Sequence, residues 1–292
     1  MIMFNPHINN GISIPAKNNK VSFRSTERCY QLDNDCFNMS MGNLTYLFRN
    51  DIDWLKLAKY THKLFQDKDK VNIIQFGASS GAEAYTKIIS LIETGNVESA
   101  KKFFPIKAYD IDPTIIEVAK SGFINLDRLE LSNFTQNNFS VRKYFNPYHK
   151  KLSLENDVDV TPQNTYMAEN ILKNNVVFET GNMFKLAQNI KDNSNTIVLC
   201  RNVLAYFNRD LQEKFIQDIS SKLKEKSLFV IGDFDADFGI LPLLEKYRFK
   251  KIMKNVYQKI DNKSTPMENY QEKPQMTIGE LLRQAKYNLS NK

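Results

Sequence analysis

Two glycines four positions apart, Gly77 and Gly81, enclose Ala78, Ser79 and Ser80 between the apolar run VNIIQF and the segment AEAYTKIISLIE. A small-residue turn between a strand and a helix lets backbone approach a ligand whose polar end faces the helix N-terminus. No lysine followed by Ser or Thr closes this turn, so it does not match a triphosphate-binding P-loop. Glu83 falls in the first helical turn, where it would repel a phosphate but pair with the ammonium group of an amino-acid moiety. Its plainer role is a first-turn acid favoured by the helix dipole. Asp110 ends the run IKAYD, where a carboxylate can accept both hydroxyls of an adenosine ribose. Asp112, two residues on, suits a helix N-cap.

Two further segments carry polar groups just after apolar runs. Gly181, Asn182 and Met183 follow VVF, and Asn offers a donor and an acceptor to an adenine edge while Met offers a polarizable apolar surface. The alternative there is an exposed turn. In CRNVLAYF, Arg201 and Asn202 stand directly after TIVLC, at the strand end where open α/β sheets bind ligands. Tyr206 lies four positions beyond Asn202, within reach of the same cleft through a loop. Arg201 would clamp a substrate carboxylate and Tyr206 would orient it. A structural arginine and a core tyrosine are the plainer alternatives.

The elements that must position these residues alternate. VNIIQF (71–76) and IKAYDID (106–112) read as strands, each followed by a helix, the second opened by Pro113. Two strand–helix units within fifty residues indicate a parallel sheet with crossover helices. NVVFETGNMF (175–184) and NTIVLCRNVLAYF (195–207) supply later strands, RDLQEKFIQDISSKLK (209–224) a helix, and SLFVIGDF (227–234) another strand. After the short helix LPLLEKY (241–247), FKKI and NVYQKI lie too close together for a parallel crossover and should pair antiparallel. Upstream, Leu44, Leu47, Phe48, Ile52, Leu55 and Ala58 fall at helical spacing and predict one broken helix or two short ones.

The expected organisation is an N-terminal arm over residues 1–36, a main domain over 37–261 and a linker with a small helix over 262–292. A lid or small insertion is expected near 123–158, where periodicity fades. The chain has 292 residues and 42% hydrophobic content, enough for a large core. Nowhere does it run about 18 consecutive apolar residues, nor does it open with a signal peptide, so no transmembrane segment and a cytoplasmic location are expected. The three cysteines, Cys29, Cys36 and Cys200, form no paired pattern, and neither a disulfide scaffold nor a metal site is expected. A net charge of +7 admits an acidic partner, but the lysines are scattered and not clustered among aromatics, so nucleic acid is not the expected partner.

These motifs together resemble those of the chemotaxis receptor glutamate methyltransferases, the CheR-type family. GASSGAEAY resembles the family's cofactor loop, AYDID its second-strand segment, ETGNM its Asn-containing turn, and CRNVLAYF differs by one residue from the common CRNVLIYF. LTYLFRN resembles the family's Thr-x-Phe-Phe-Arg element, which makes Arg49 a cleft residue. The resemblance spans roughly residues 43–260. It implies a Rossmann-like class I methyltransferase fold that is α/β, with a mostly parallel sheet and antiparallel late strands. The implied cofactor is S-adenosylmethionine (SAM), with S-adenosylhomocysteine as product. Gly77, Ser79, Gly81, Glu83, Asp110, Asn182, Met183, Arg201 and Asn202 would bind it, Glu83 at the methionyl amino end, Asp110 at the ribose and Asn182 with Met183 at the adenine. Arg49, Arg201 and Tyr206 would line the catalytic centre.

The implied acceptor is a glutamate carboxylate on a protein such as a chemoreceptor, with another protein or a small molecule as the alternative. Departures bear on the acceptor: Ala82 and Ala84 replace the usual Glu and Pro beside Glu83, Tyr109 replaces Thr, and Glu225 with Lys226 stand for the usual glycine pair. The family's basic helical N-terminal domain also has no counterpart before Arg49. A noncatalytic SAM-binding interaction module is the second reading. An acyl hydrolase is the third, since Gly77, Ser79 and Gly81 satisfy G-x-S-x-G, but that pattern needs a late histidine and none follows His149. A carboxylate acceptor is already ionised near neutral pH, so no general base is assigned. For an amine or hydroxyl acceptor, Tyr206, Asp233 or Asp235 would handle the proton.

Overall fold

The apolar spacing that begins at Leu44 becomes a helix only at Trp54. Asp53 caps it by accepting the Lys56 N–H at 2.9 Å, and α1 runs over Trp54–Leu64. Leu47 and Phe48 form a turn instead, because side chains from elsewhere hold their backbone. Glu130 accepts the Leu47 N–H and Thr86 Oγ1 accepts the Phe48 N–H, with Phe48 at a φ of 53°. The computed structural model describes residues 45–148 and 164–261, together with a short antiparallel pair, β1 (Pro15–Ala16) and β2 (Asn19–Lys20). The rest of the expected arm, the C-terminal helix, Cys29, Cys36 and residues 149–158 of the expected lid lie outside the described residues.

The chain divides into two units at Met183. In the first, β3 (Asn72–Phe76) leads through the glycine turn into α2 (Ala82–Thr94), which is buried on almost every face and packs against α1. The short α3 (Val97–Ala100) follows. Next come β4 (Ile106–Asp110) and α4 (Pro113–Ser121), which starts at the Asp112 N-cap and stops at Gly122 in the left-handed region. β3 and β4 are parallel, with Phe76 opposite Tyr109. β8 (Val176–Thr180) is parallel to β4 on its other side, with Asp110 opposite Thr180. The strand–helix alternation expected from the sequence is therefore present, with right-sized crossovers between parallel neighbours.

Between α4 and β8 the chain builds a small sheet of its own. β5 (Phe123–Asn125), α5 (Arg128–Gln136), α6 (Val141–Tyr144), β6 (Phe145–Pro147), β7 (Thr165–Ala168) and α7 (Asn170–Lys173) follow in order. β7 pairs antiparallel with both β5 and β6. Aromatic rings fasten this segment to the rest of the first unit: Phe134 lies edge-on to Phe48 at 5.5 Å and to Phe145 at 6.1 Å, and Phe145 meets Tyr85 at 6.1 Å. The sequence pattern shows no sheet here because its strands are three or four residues long, too short for alternation to register.

The second unit begins at Phe184, within α8 (Met183–Gln188). β9 (Thr196–Cys200) is buried along its whole length, as an apolar run flanked on both faces should be. α9 (Arg209–Lys222) is capped by Asn208 and leads to β10 (Leu228–Val230), parallel to β9. The expected strand over 227–234 is shorter than predicted, because its end winds into α10 (Asp233–Asp237). α11 (Ile240–Lys246), β11 (Phe249–Met253) and β12 (Val256–Lys259) complete the unit. β12 pairs antiparallel with both β10 and β11, as the short connection requires. Phe215, Phe229 and Phe249 form a chain of edge-on contacts through the core of this unit. Among the described residues, no helix is long and apolar enough to cross a membrane.

Candidate functional site

Parallel pairing in the first unit brings three sequence-distant turns to one edge. Because β3, β4 and β8 run in one direction, Gly77, Asp110 and Gly181 all stand at their C-terminal ends. Backbone bonds continue the ladder beyond the strands: Ala78 N–H donates to the Tyr109 carbonyl at 2.9 Å, and Gly181 N–H to the Asp110 carbonyl at 2.8 Å. The glycine turn itself is tightly wound, with Gly77, Ser79 and Gly81 at φ values of 73°, 48° and 91°. At Gly81 a side chain is excluded twice over, by the left-handed backbone and by the Phe178 ring, whose Cζ would lie 2.7 Å from an added Cβ.

Asp110 links this turn to its own strand end. Its Oδ2 accepts the Ser79 N–H at 2.8 Å and its Oδ1 the Asp112 N–H at 3.1 Å. Burial pushes its carboxyl above the ordinary aspartate range, and these backbone donors pull it only part of the way back. A carboxylate has about four acceptor positions, so beside the Ser79, Asp112 and Ile111 N–H groups Asp110 keeps capacity for a ribose hydroxyl. Asp112 takes the plainer of its two roles, accepting the Thr114 N–H at 2.8 Å as the cap of α4. Glu83 is half-buried in the first turn of α2, Asn182 is half-buried just past β8, and Met183 is buried as the first residue of α8. These donors and acceptors, around backbone that only small residues allow, suit an adenosine ligand with a cationic amino-acid end.

Arg49 lies in the turn before α1. Its carbonyl accepts the Trp54 Nε1–H at 3.0 Å, and its guanidinium sits 3.9 Å from Asp51 and 5.8 Å from the centre of the Tyr46 ring. With 28% of its side chain exposed, it is neither the fully solvated residue that periodicity alone would leave nor a core residue. Glu130 and Thr86 hold the two residues before it. Glu130 caps its own helix through the Asp127 N–H at 3.0 Å and reaches 83 residues back to Leu47 at 2.7 Å. Burial pushes the Glu130 carboxyl up to about 7, outweighing the two backbone donors that favour its charge. The D-x-x-E box of Asp127 and Glu130 is a readable N-cap signature. Nothing local announces its bond to Leu47.

In the second unit, Arg201 is buried directly after β9, and Asn202 adopts a φ of 57°. Tyr206 is half-buried in a single helical turn, with its ring 5.5 Å from that of Phe234. The Asn202 side-chain oxygen accepts the Phe234 N–H at 3.1 Å. Asp235, a candidate for proton handling on sequence grounds, is fully buried and accepts N–H groups from Asn202, Ala205 and Gly232. It is not placed to exchange a proton with an acceptor, because both oxygens are occupied and no part of it meets solvent. Asp233 instead accepts from Lys254 Nζ at 3.0 Å and Asn255 Nδ2 at 2.6 Å. Among the described residues, no three His, Cys, Asp or Glu side chains are grouped to hold a metal ion.

A parallel α/β unit with a glycine turn and an acid at adjacent strand ends defines a nucleotide-type cofactor-binding domain. Residues 43–239 match the family described as "CheR methyltransferase, SAM binding domain", and the chain belongs to that family. The cofactor that the family's description names for this domain is SAM. It is 28% identical over 191 residues to chemotaxis protein methyltransferase 2 of Pseudomonas aeruginosa, a match covering 65% of this chain and 62% of that one. It is 27% identical over 202 residues to the chemotaxis protein methyltransferase of Borreliella burgdorferi, covering 65% and 63%. The match thus spans slightly less than two thirds of each of these curated relatives. A solved SAM-dependent methyltransferase from Clostridium acetobutylicum aligns with a TM-score of 0.30 and 14% identity over 63% of this chain and 52% of that one. Likeness at that level adds nothing to the family match.

Proposed function

We propose that this chain transfers the methyl group of SAM to a glutamate carboxylate on a protein, a chemoreceptor being the acceptor suggested by the names of its relatives. The observation that carries the cofactor half of this reading is the Asp110–Ser79 link, which sets a carboxylate against the glycine turn at the N-terminus of α2. In this assignment Gly77, Ser79 and Gly81 supply close backbone, Asp110 holds the ribose, Glu83 the methionyl ammonium, and Asn182 with Met183 the adenine. Arg201 and Asn202 contribute from the loop after β9. A cytoplasmic location accompanies the assignment.

SAM, when bound, supplies an electrophilic methyl group on a sulfonium. The task left to the protein is alignment, since a glutamate acceptor is already ionised at neutral pH and needs no base. Arg201 is assigned to the acceptor carboxylate, which a guanidinium binds and orients, and Tyr206 to its hydrogen bonding. The burial of Arg201 strengthens that electrostatic hold by keeping water from it.

Calorimetric titration with SAM tests the cofactor half. Asp110→Ala should weaken binding at least tenfold, about 1.4 kcal/mol, in a chain that stays folded. Labelled SAM with candidate acceptor proteins tests the rest, because a glutamyl methyl ester releases its label as methanol in mild alkali and a methylated amine does not. Alkali-stable label would replace the carboxylate with an amine as acceptor, and binding without transfer would select a noncatalytic SAM-binding module.

A further inference from the structure

The loop that carries Arg201, Asn202 and Tyr206 is interlocked with the turn that opens α10. Asp235 Oδ2 accepts the Asn202 N–H at 2.5 Å and the Gly232 N–H at 3.0 Å, while Oδ1 accepts the Ala205 N–H at 3.1 Å. In return Asn202 Oδ1 accepts the Phe234 N–H at 3.1 Å. Each partner therefore holds the other's backbone, across 32 or 33 residues of sequence. The lock also fixes Asn202 at a φ of 57°, a left-handed conformation that asparagine tolerates better than most residues. Gly232 completes it by leaving room: an added Cβ would lie 2.1 Å from Asn202 Oδ1. Its own backbone is extended, at φ −99° and ψ 169°, so any residue could adopt that conformation and only the approach of Asn202 requires glycine.

From this geometry we infer that Asp235 is a positioning residue for methyl transfer: its carboxylate, seated beside Gly232, sets the shape of the 201–206 loop without touching substrate or cofactor. The inference rests on the reading of Arg201 and Tyr206 given above. A buried carboxylate is costly unless its oxygens are satisfied, and the N–H groups of Asn202, Val203, Ala205 and Gly232 satisfy this one. Of side chains this size, only aspartate offers acceptors on both sides. In asparagine, one side can still serve Asn202 and Gly232, but the other turns an NH2 group toward the Ala205 N–H, so donor meets donor. The neighbouring acid Asp233 bonds Lys254 and Asn255 instead and does not substitute for it.

Two variants of the full chain test the inference by different routes. Asp235→Asn keeps the shape and removes one acceptor. Gly232→Ala keeps the carboxylate and, without backbone strain, displaces the Asn202 side chain. Amide hydrogen exchange reads the lock directly and does not depend on activity: both variants should lose at least tenfold protection at residues 202–206, with the amides of β9 and β10 still protected. In labelled-SAM transfer, kcat should fall at least tenfold in both, and by more than the SAM dissociation constant rises, since the glycine turn and Asp110 do not depend on Asp235. Unchanged exchange at 202–206 would overturn the lock. Lost protection with wild-type kcat would overturn the positioning role. Loss of protection throughout the second unit would mark Asp235 as a general stability residue and equally overturn it. If the wild-type chain neither binds SAM nor transfers its methyl group, the parent reading fails, and the positioning role fails with it while exchange still decides whether the lock exists.

Discussion

Replacing Gly81 by alanine imposes two separable costs. Its φ of 91° lies in the left-handed region, where an L-residue with a Cβ loses about 1–2 kcal/mol. The new methyl group would also lie 2.7 Å from Phe178 Cζ and 3.1 Å from Cε1. That ring has little freedom to withdraw: Phe178 is 6% exposed and lies edge-on to Tyr85 at 5.9 Å. Overpacking of this kind costs about 1–3 kcal/mol, so Gly81→Ala should destabilise the chain by roughly 3 kcal/mol in all, a large part of the ~5–15 kcal/mol that folded proteins have. Urea unfolding followed by circular dichroism measures the sum, and a second substitution divides it. Phe178→Leu makes room for the methyl group but leaves the backbone strain, so the Gly81→Ala/Phe178→Leu pair should recover about 1–2 kcal/mol relative to additive single effects. Single effects that add to within about 0.5 kcal/mol would show that the ring is not the obstacle. A Gly81→Ala chain as stable as wild type would refute the whole account of the turn.

Two buried charges give predictions of opposite sign. Lys87 is fully buried on α2, its ammonium donates to Thr61 Oγ1 at 3.4 Å, and burial pulls it down to about 7. The unfolded chain binds that proton more tightly, so the penalty is greatest at and below pH 7 and fades as pH rises toward 10. Lys87→Met should therefore stabilise the chain by about 4 kcal/mol at pH 7 and by only ~1 kcal/mol at pH 10, and a pH-independent gain would refute burial of the charge as its cause. For Glu130 the folded state binds the proton more tightly, since its carboxyl is pushed up to about 7. Its contribution is fully present below the ordinary glutamate range and is lost as pH rises through 7, a change on the order of 3 kcal/mol. Urea unfolding of wild type and Glu130→Gln from pH 5 to 8 should give curves that diverge by that order, and parallel curves would remove Glu130 as the source.

The features legible in the sequence are those whose causes lie within a few residues. Asp53, Asp112 and Asn208 each cap the helix that follows them, and a cap is a bond between near neighbours. The runs NIIQF and TIVLC are strands buried on both faces, IKAYD alternates with Ile106 and Ala108 buried and Lys107 exposed, and the turn from Gly77 to Gly81 declares itself by residue size alone. Parallel pairing followed from the alternation of strands and helices. Tertiary structure decided what periodicity suggested wrongly, as at Leu47 and Phe48, which have helical spacing but are held in turns by Glu130 and Thr86. It also decided the small sheet of β5, β6 and β7, whose strands are too short for a local signal and acquire partners only across the chain. Asp235 shows the division most clearly. In sequence it is one acid among three in DFDAD, and nothing within ten residues separates it from its neighbours. Burial and backbone donors, all of them but Gly232 lying 30 or more residues away, make it a receptor for N–H groups, because the cost of an unsatisfied buried carboxylate is decided only when the chain has folded around it.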